Sequence, residues 1–343
     1  MANTSTSANE EDSTLMATVY LDRSGSALRV DSGVLIVSHA NDTRPASRIP
    51  LALVQRVVLR ADTALTSSAL CALADAGVSL VAMGGRTGER VAQMIGPWHN
   101  NADIRLQQLL ALARPEPALD LARHLVRAKL RRQAHCLKVM QGERSDLRKP
   151  FFDGLESIER IMARLPEATS VESCRGFEGA GAAAHFGAYF SAFAPSLGAT
   201  GRKRRPPPDP VNASLSLAYT LLYSIAVRVC WQTGLDPAVG ALHGLAHGRA
   251  AMACDLMEPW RPTVDLWVWR MFQSRELRAE HFGVDGARGC LLGKAGRAHF
   301  YRAWEAESRP VEASLRRYAR LVAKSFVVGA GPLPEHLTQD LPE

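Results

Sequence analysis

No Cys-x-x-Cys pair occurs in these 343 residues: the six cysteines, Cys71, Cys136, Cys174, Cys230, Cys254 and Cys290, lie far apart. That spacing offers neither a disulfide framework nor a zinc ribbon, and a reducing cytoplasm is the expected compartment. No apolar run reaches the roughly 18–20 uninterrupted residues that cross a bilayer. The most hydrophobic stretch, Leu215 to Trp231, is broken by Ser216, Thr220, Ser224 and Arg228, so a buried core helix is expected there and no membrane partner. Residues 1–15 are rich in Ser, Thr, Asn and acid, without the basic and apolar regions of a secretory signal, and read as a disordered extension. The glycine-rich Gly84-Gly85-Arg86-Thr87-Gly88 lacks the Gly-Lys-Ser/Thr ending of a P-loop and opens no helix, so it reads as a turn between strands.

What is present is enough for two domains. An apolar fraction of 47% supports real cores, and 41 Lys and Arg against 34 Asp and Glu give a net charge of +7. Such a balance suits a polyanionic partner without demanding one. Up to residue 96 the pattern is short and β-like. Ala17–Leu21, Ala27–Val30 and Val34–Ser38 are separated by Arg23-Ser24-Gly25-Ser26 and Asp31-Ser32-Gly33, which predicts a three-stranded meander. Arg48–Pro50 and Val54–Leu59 continue it, and Val57-Val58-Leu59 suits a strand buried on both faces. A helix over Ser67–Ala76 should stop at Gly77, with further strands at Val78–Met83 and Val91–Met94. Pro97-Trp98-His99-Asn100-Asn101 marks a boundary, beyond which residues 97–327 follow helical spacing. There Leu119, Ala122, Val126 and Leu130 share one face, with Arg123, Arg127 and Arg131 as a stripe beside it. Val311, Leu315 and Tyr318 form a second core face beside Arg316, Arg320 and Lys324, and residues 328–343 read as a flexible tail. The expected fold class is α+β: an N-terminal β-rich domain followed by an all-α C-terminal domain.

The chemistry gathers around one basic loop. Arg202-Lys203-Arg204-Arg205 runs into Pro206-Pro207-Pro208, so four cations sit on a stiff segment that cannot continue a helix. Asp209-Pro210 then opens the apolar run as a helix start. Upstream, Glu178 stands at the expected beginning of an apolar helix. Downstream come His243, after Gly240-Ala241-Leu242, and the pair Asp255 and Glu258, three apart and so on one helical face. Taken singly, an exposed Glu favoured by a helix dipole and an isolated core His are ordinary. Together, carboxylates and an imidazole flanking four cations suggest Mg2+ or Mn2+ next to a phosphate backbone. His247 competes with His243 for the imidazole role. Arg249 and Arg261 enlarge the cationic surface, and no compact base-reading module is visible.

The succession Glu-Gly-x-x-Ala, Arg-x-Arg-Arg-Pro-Pro-x-Asp-Pro-x-Asn, Leu-Asp-Pro-x-x-Gly-x-Leu-His and Asp-Leu-Met-Glu-x-x-Arg-Pro resembles the CRISPR-associated integrase/endonuclease family, from about Val19 to about Val327. The resemblance implies metal ligands at Glu178, His243 and Glu258, with Asp255 a neighbouring acid that takes a second ion or orients DNA. It implies a DNA endonuclease and integrase that joins prespacer 3′-hydroxyl ends to the CRISPR repeat in double-stranded DNA. A homodimer built through the β-rich domain and a small CRISPR-associated adaptation partner protein come with it. Ala183 and His185 depart from the Arg and Tyr common in the family, so DNA contacts at those two positions are not expected to carry over. A structure-selective nuclease of branched DNA and a non-catalytic basic DNA-binding scaffold are the alternatives.

Overall fold

The computed structural model describes residues 17–40, 45–84, 90–94, 99, 101–244, 250–286 and 289–327. The expected N-terminal extension and C-terminal tail, most of the Gly84–Gly88 turn and three of the five residues of the Pro97–Asn101 boundary lie outside them. The chain divides into two compact units that change over near residue 96.

The first unit holds two four-stranded sheets. Strands β1 (Ala17–Leu21), β2 (Ser26–Asp31), β3 (Val34–His39), β4 (Ser47–Pro50), β5 (Val54–Leu59) and β6 (Thr63–Leu65) precede helix α1 (Ser67–Asp75), and β7 (Ser79–Gly84) and β8 (Arg90–Met94) follow it. One sheet runs β1-β5-β7-β8 and the other β4-β3-β2-β6. Ser32 and Gly33 close the β2–β3 hairpin with φ of 49° and 74°, the positive pair that a two-residue turn of this hand needs. The meander of three strands from Ala17 is corrected: β1 pairs parallel with β5, and the true meander is β2-β3-β4. The nominal turn before β2 does not close on β1, because Gly25 N–H donates to Asp62 O, on the chain just before β6. β5 is buried almost throughout and lies between two parallel neighbours, β1 and β7, as a strand apolar on both faces requires. Helix α1 begins at the Thr66 cap and ends at Gly77, where Val78 N–H reaches back to Leu73 O. Leu28, Leu35, Val57, Leu73 and Val78 lie in the core between these elements.

The second unit is mostly helical: α2 (Ala102–Leu112), α3 (Pro115–Glu143), α4 (Arg148–Arg164), α5 (Val171–Ser191), α6 (Pro210–Thr233), α7 (Ala251–Met257), α8 (Arg261–Gln273) and α9 (Lys294–Val327). It is not purely α: β9 (Phe282–Asp285) and β10 (Gly289–Leu292) form an antiparallel hairpin within it. Helix α3 is buried on most of its circumference and packs against α4, α5 and α8, which makes it the post around which the site is built. The apolar run becomes α6 as expected. Asp209 caps it by accepting from Asn212 N–H, Pro210 opens it, and Gly234 ends it at φ 83°. It is long and apolar enough to cross a membrane by composition, yet most of it is buried inside the unit. The core face Val311, Leu315 and Tyr318 on α9 is buried as read.

The two expected cationic stripes are partly turned inward. Arg123 donates to Ala168 O from Nε and Nη2, tying α3 to the segment before α5, and Arg316 binds the buried Glu312. Arg320 and Lys324 remain exposed.

Candidate active site

Asp255, on α7, is fully buried and organises the His243 loop. Its Oδ2 accepts from the N–H groups of Ala241 (2.6 Å) and Leu242 (2.9 Å), and its Oδ1 from His243 N–H (2.9 Å). The same Oδ1 lies 2.7 Å from His243 Nδ1. A carboxylate acceptor there puts the imidazole proton on Nδ1 and leaves Nε2 as a free lone pair, the tautomer a metal ligand needs. Nε2 faces Glu258, with Oε1 3.9 Å away. Only glycine fits at 240, since a Cβ would stand 2.7 Å from both Asp255 Oδ2 and the Ala251 carbonyl carbon. Burial raises the Asp255 carboxyl above its ordinary range, against the opposing pull of the His243 and Leu242 bonds. With both oxygens committed to the loop, Asp255 is a positioning residue, and the expectation that it takes a second ion or touches DNA does not fit its burial.

Glu258 follows α7 in a single 3-10 turn and is buried among cations. Arg261 Nε donates to its Oε1 at 2.8 Å and Lys129 Nζ to its Oε2 at 2.5 Å. Burial alone would raise this carboxyl, but Arg261 and Lys129 outweigh it and hold the group well below its ordinary range. Arg261 is held above its own usual value: burial opposes this, and Glu258 overcomes it.

Glu178 lies two turns into α5, which starts at Val171 with a Ser170–Ser173 capping box. The expected helix start at Glu178 is thereby corrected, and a first-turn dipole role is removed. Its Oε1 accepts from the same Lys129 ammonium that holds Glu258. The close fit of α5 on α3 makes this contact. A Cβ at Gly181 would meet Leu130 Cδ2 at 2.3 Å, so glycine one turn beyond Glu178 lets α5 settle beside Lys129. One turn before Glu178, Arg175 Nε donates to Leu242 O at 2.8 Å and ties α5 to the His243 loop. Burial pulls the Lys129 ammonium down, yet Glu258 and Glu178 prevail and hold it above the usual lysine value.

The basic loop is held at both ends, by Arg202 on one side and on the other by Pro207, whose carbonyl accepts from Cys290 N–H at 2.7 Å. Arg202 Nη1 donates to Asn212 Oδ1 (2.8 Å) and its Nη2 to Ser216 Oγ (3.3 Å), while Asn212 Nδ2 donates to Gly201 O and Asp209 Oδ2. Lys203, Arg204 and Arg205 are exposed. The Arg202 and Arg261 guanidinium groups both lie over the Tyr219 ring, at 5.5 and 4.5 Å from its centroid. Tyr219 O–H donates to Asp265 Oδ1, whose other oxygen is 3.0 Å from His185 Nε2. His185 is thus a fully buried core residue and not a DNA contact. Of the expected cations, Arg202 and Arg261 brace the site and Lys203, Arg204 and Arg205 face solvent; Arg249, like His247, lies outside the described residues.

Two carboxylates and an imidazole nitrogen are the donor types that Mg2+ or Mn2+ takes. Among the described residues no three such donors are drawn tightly around one point, because Glu178 and Glu258 meet through Lys129. The field between them already attracts a cation, and Lys129 is the stand-in. Glu178, His243 and Glu258 therefore fit a divalent ion in the kind of donor they offer, without being gathered around a common point.

Four residues of the site were invisible to motif reading: Lys129, Arg175, Tyr219 and Asp265. Lys129 alone left a trace. It falls three residues after Val126 and four before Gln133, on the buried side of an otherwise apolar helix.

Two small sheets followed by a helical unit whose buried acids and imidazole meet beside a cationic loop define a class that is recognisable elsewhere. The family model for CRISPR associated protein Cas1 matches residues 19–306, and the chain belongs to that family. The match ends inside α9, short of Val327. The chain is 33% identical over 293 residues to a CRISPR-associated endonuclease Cas1 of Thermodesulfovibrio yellowstonii, covering 84% of this chain and 91% of that one. It is 30% identical over 327 residues to another from Thermus thermophilus, covering 94% and 95%. Its fold is similar to a casposase bound to integration product, with a TM-score of 0.83, 19% identity, and 96% and 95% of the two chains covered. A CAS1 protein from Thermotoga maritima gives a TM-score of 0.76 at 21% identity, with 91% and 97% covered.

Proposed function

We propose that this chain is a CRISPR spacer-acquisition integrase with metal-dependent DNA endonuclease activity, which joins prespacer 3′-hydroxyl ends to the CRISPR repeat. The observation that carries the reading is that Glu178 and Glu258 share the Lys129 ammonium while His243 Nε2 lies 3.9 Å from Glu258 Oε1. Membership of the Cas1 family and relatives named as endonucleases support it.

Glu178, His243 and Glu258 would hold Mg2+ or Mn2+, which when bound supplies Lewis-acid polarisation of the scissile phosphate and eases deprotonation of the attacking hydroxyl. Asp255 keeps His243 in the ligating tautomer. Arg261 keeps Glu258 ionised and braces it on Tyr219. Lys203, Arg204 and Arg205 grip phosphates without reading bases. In joining, one P–O bond forms to the prespacer 3′-oxygen and one breaks in the repeat strand, so no protein nucleophile or external energy source is required. With water as the attacking oxygen the same site hydrolyses DNA. A homodimer working with a small CRISPR-associated adaptation partner protein on double-stranded DNA completes the reading.

A strand-joining assay with Mn2+ or Mg2+ tests it. Glu178→Ala, His243→Ala and Glu258→Ala should each abolish joined product while retaining most DNA retardation in gels. Shortened strands without joined product would favour a nuclease, and retarded but unaltered DNA a scaffold. Full joining by any one variant would remove that residue from the site.

A further inference from the structure

Among the described residues, Lys129 is the one group that touches both carboxylates of the candidate metal site. It is buried on α3 with its ammonium between Glu178 and Glu258, whereas Arg261 reaches Glu258 alone. Glu178, Glu258, Lys129 and Arg261 sum to zero, so the four groups around the Lys129 ammonium already offset one another. A divalent ion entering without displacement would add two charges to a cluster in which a neighbouring cation sits a few ångströms away. At an effective dielectric suited to partly buried groups such repulsion is large.

We propose that Lys129 is a built-in counter-cation that occupies the divalent-ion position in the DNA-free protein and must be displaced, still protonated, for the ion to enter. This rests on the metal-dependent reading above and adds a step to it. The displaced ammonium remains a cation beside an ion and Arg261, leaving an excess of two positive charges. Asp255, buried behind His243, offsets at most one of these charges, and DNA phosphates supply the remaining anion. Metal and phosphate therefore enter cooperatively, and the DNA-free protein keeps its site closed by an internal ion pair. Glu258 keeps its Arg261 partner when the ammonium moves away.

Two measurements on the full chain, neither reading activity, test this. Mn2+ binding to DNA-free protein is followed by the electron paramagnetic resonance of free Mn2+. Lys129→Met should bind at least about tenfold more tightly than the unsubstituted protein, and Lys129→Arg, which keeps the charge, should not. Equal or weaker binding by folded Lys129→Met would overturn the proposal while leaving the metal site standing. Absence of Mn2+ binding by every form, with or without DNA, would sink the metal site and the proposal with it. Should Lys129→Met fail to fold, the unsubstituted protein suffices: amine acylation mapped by mass spectrometry should modify Lys129 several times faster in saturating Mn2+ with duplex DNA than with DNA alone. Lys149, 86% exposed in its side chain, provides the reference rate. An unchanged ratio would overturn the displacement.

Discussion

Among the described residues of the helical unit, Glu258 and Glu312 are each a buried carboxylate between two cations, and only Glu258 belongs to the proposed active site. At Glu312 on α9, Arg228 reaches in from α6 and Arg316 from one turn further along α9. At Glu258, Arg261 and Lys129 play the corresponding parts. The difference is what else faces the carboxylate. A second acid, Glu178, shares the Lys129 ammonium, and an imidazole nitrogen held by Asp255 looks at Glu258 from 3.9 Å. Around Glu312 the described contacts are the two arginines, while around Glu258 a second acid and an imidazole nitrogen join the two cations. Pairing alone does not mark a site; surplus, oriented lone pairs do.

Breaking each cluster in turn separates the two roles most sharply. Glu258→Gln should eliminate strand joining in single-turnover assays. Glu312→Ala, which removes the buried carboxylate shared by the buried Arg228 and the half-buried Arg316, should lower stability by about 3–5 kcal/mol in urea unfolding. Joining per folded molecule should survive it. Loss of joining by folded Glu312→Ala would erase the distinction.

A smaller effect compares two cation-prone residues on α3. Lys129 keeps its charge because carboxylates face it; His124, five residues earlier, is buried beside Arg127 and Arg131 and stacks on Tyr318. Burial, with those two arginines, lowers its pKa from 6.5 to about 4. The unfolded chain binds the proton first as pH falls, so stability is intact above pH 6.5, declines down to about pH 4, and levels off below. The decline attributable to His124 is at most roughly 3 kcal/mol. Thermal unfolding of His124→Gln across that window should lack it. An identical pH slope in both proteins would mean that His124 titrates normally.

The smallest effect distinguishes Arg202 from the three cations that follow it in the basic loop. Charge reversal at Lys203, Arg204 or Arg205 should weaken binding to unrelated duplexes alike and flatten its salt dependence by about 0.9 log unit for each phosphate no longer neutralised. Arg202, turned in toward Asn212 and Tyr219, should cost stability instead when reversed. An unchanged salt slope in the three outward variants would make the loop an inert solvated segment.

What the sequence disclosed follows the range of the interaction. Short-range chemistry was legible: the Ser32-Gly33 turn, the Asp209-Pro210 cap and the Gly77 stop each act within a few residues. Strand partnership was not. β1 carries the same alternation whether it pairs with β2 or, as it does, with β5, and only the tertiary arrangement decides. At the site, the motifs announced Glu178, His243 and Glu258, but each tells only its own side of the interaction. Lys129 is an ordinary helix former by propensity. Its meaning comes from two carboxylates 49 and 129 residues away, which no local pattern encodes. His185 shows the converse: exchangeable in appearance, it is locked to Asp265 across 80 residues of chain.

The Tyr219 ring, with Arg202 and Arg261 over it, makes the loop and the acid site heirs to one support. A basic loop transplanted from a relative would bring its own first arginine against that ring, and any change of angle there would be transmitted to the guanidinium that holds Glu258. Grip and chemistry are in this sense a single module. Attempts to test the proposed DNA grip by swapping the loop should begin at Lys203, leaving Gly201-Arg202 and the α6 cap as part of the recipient.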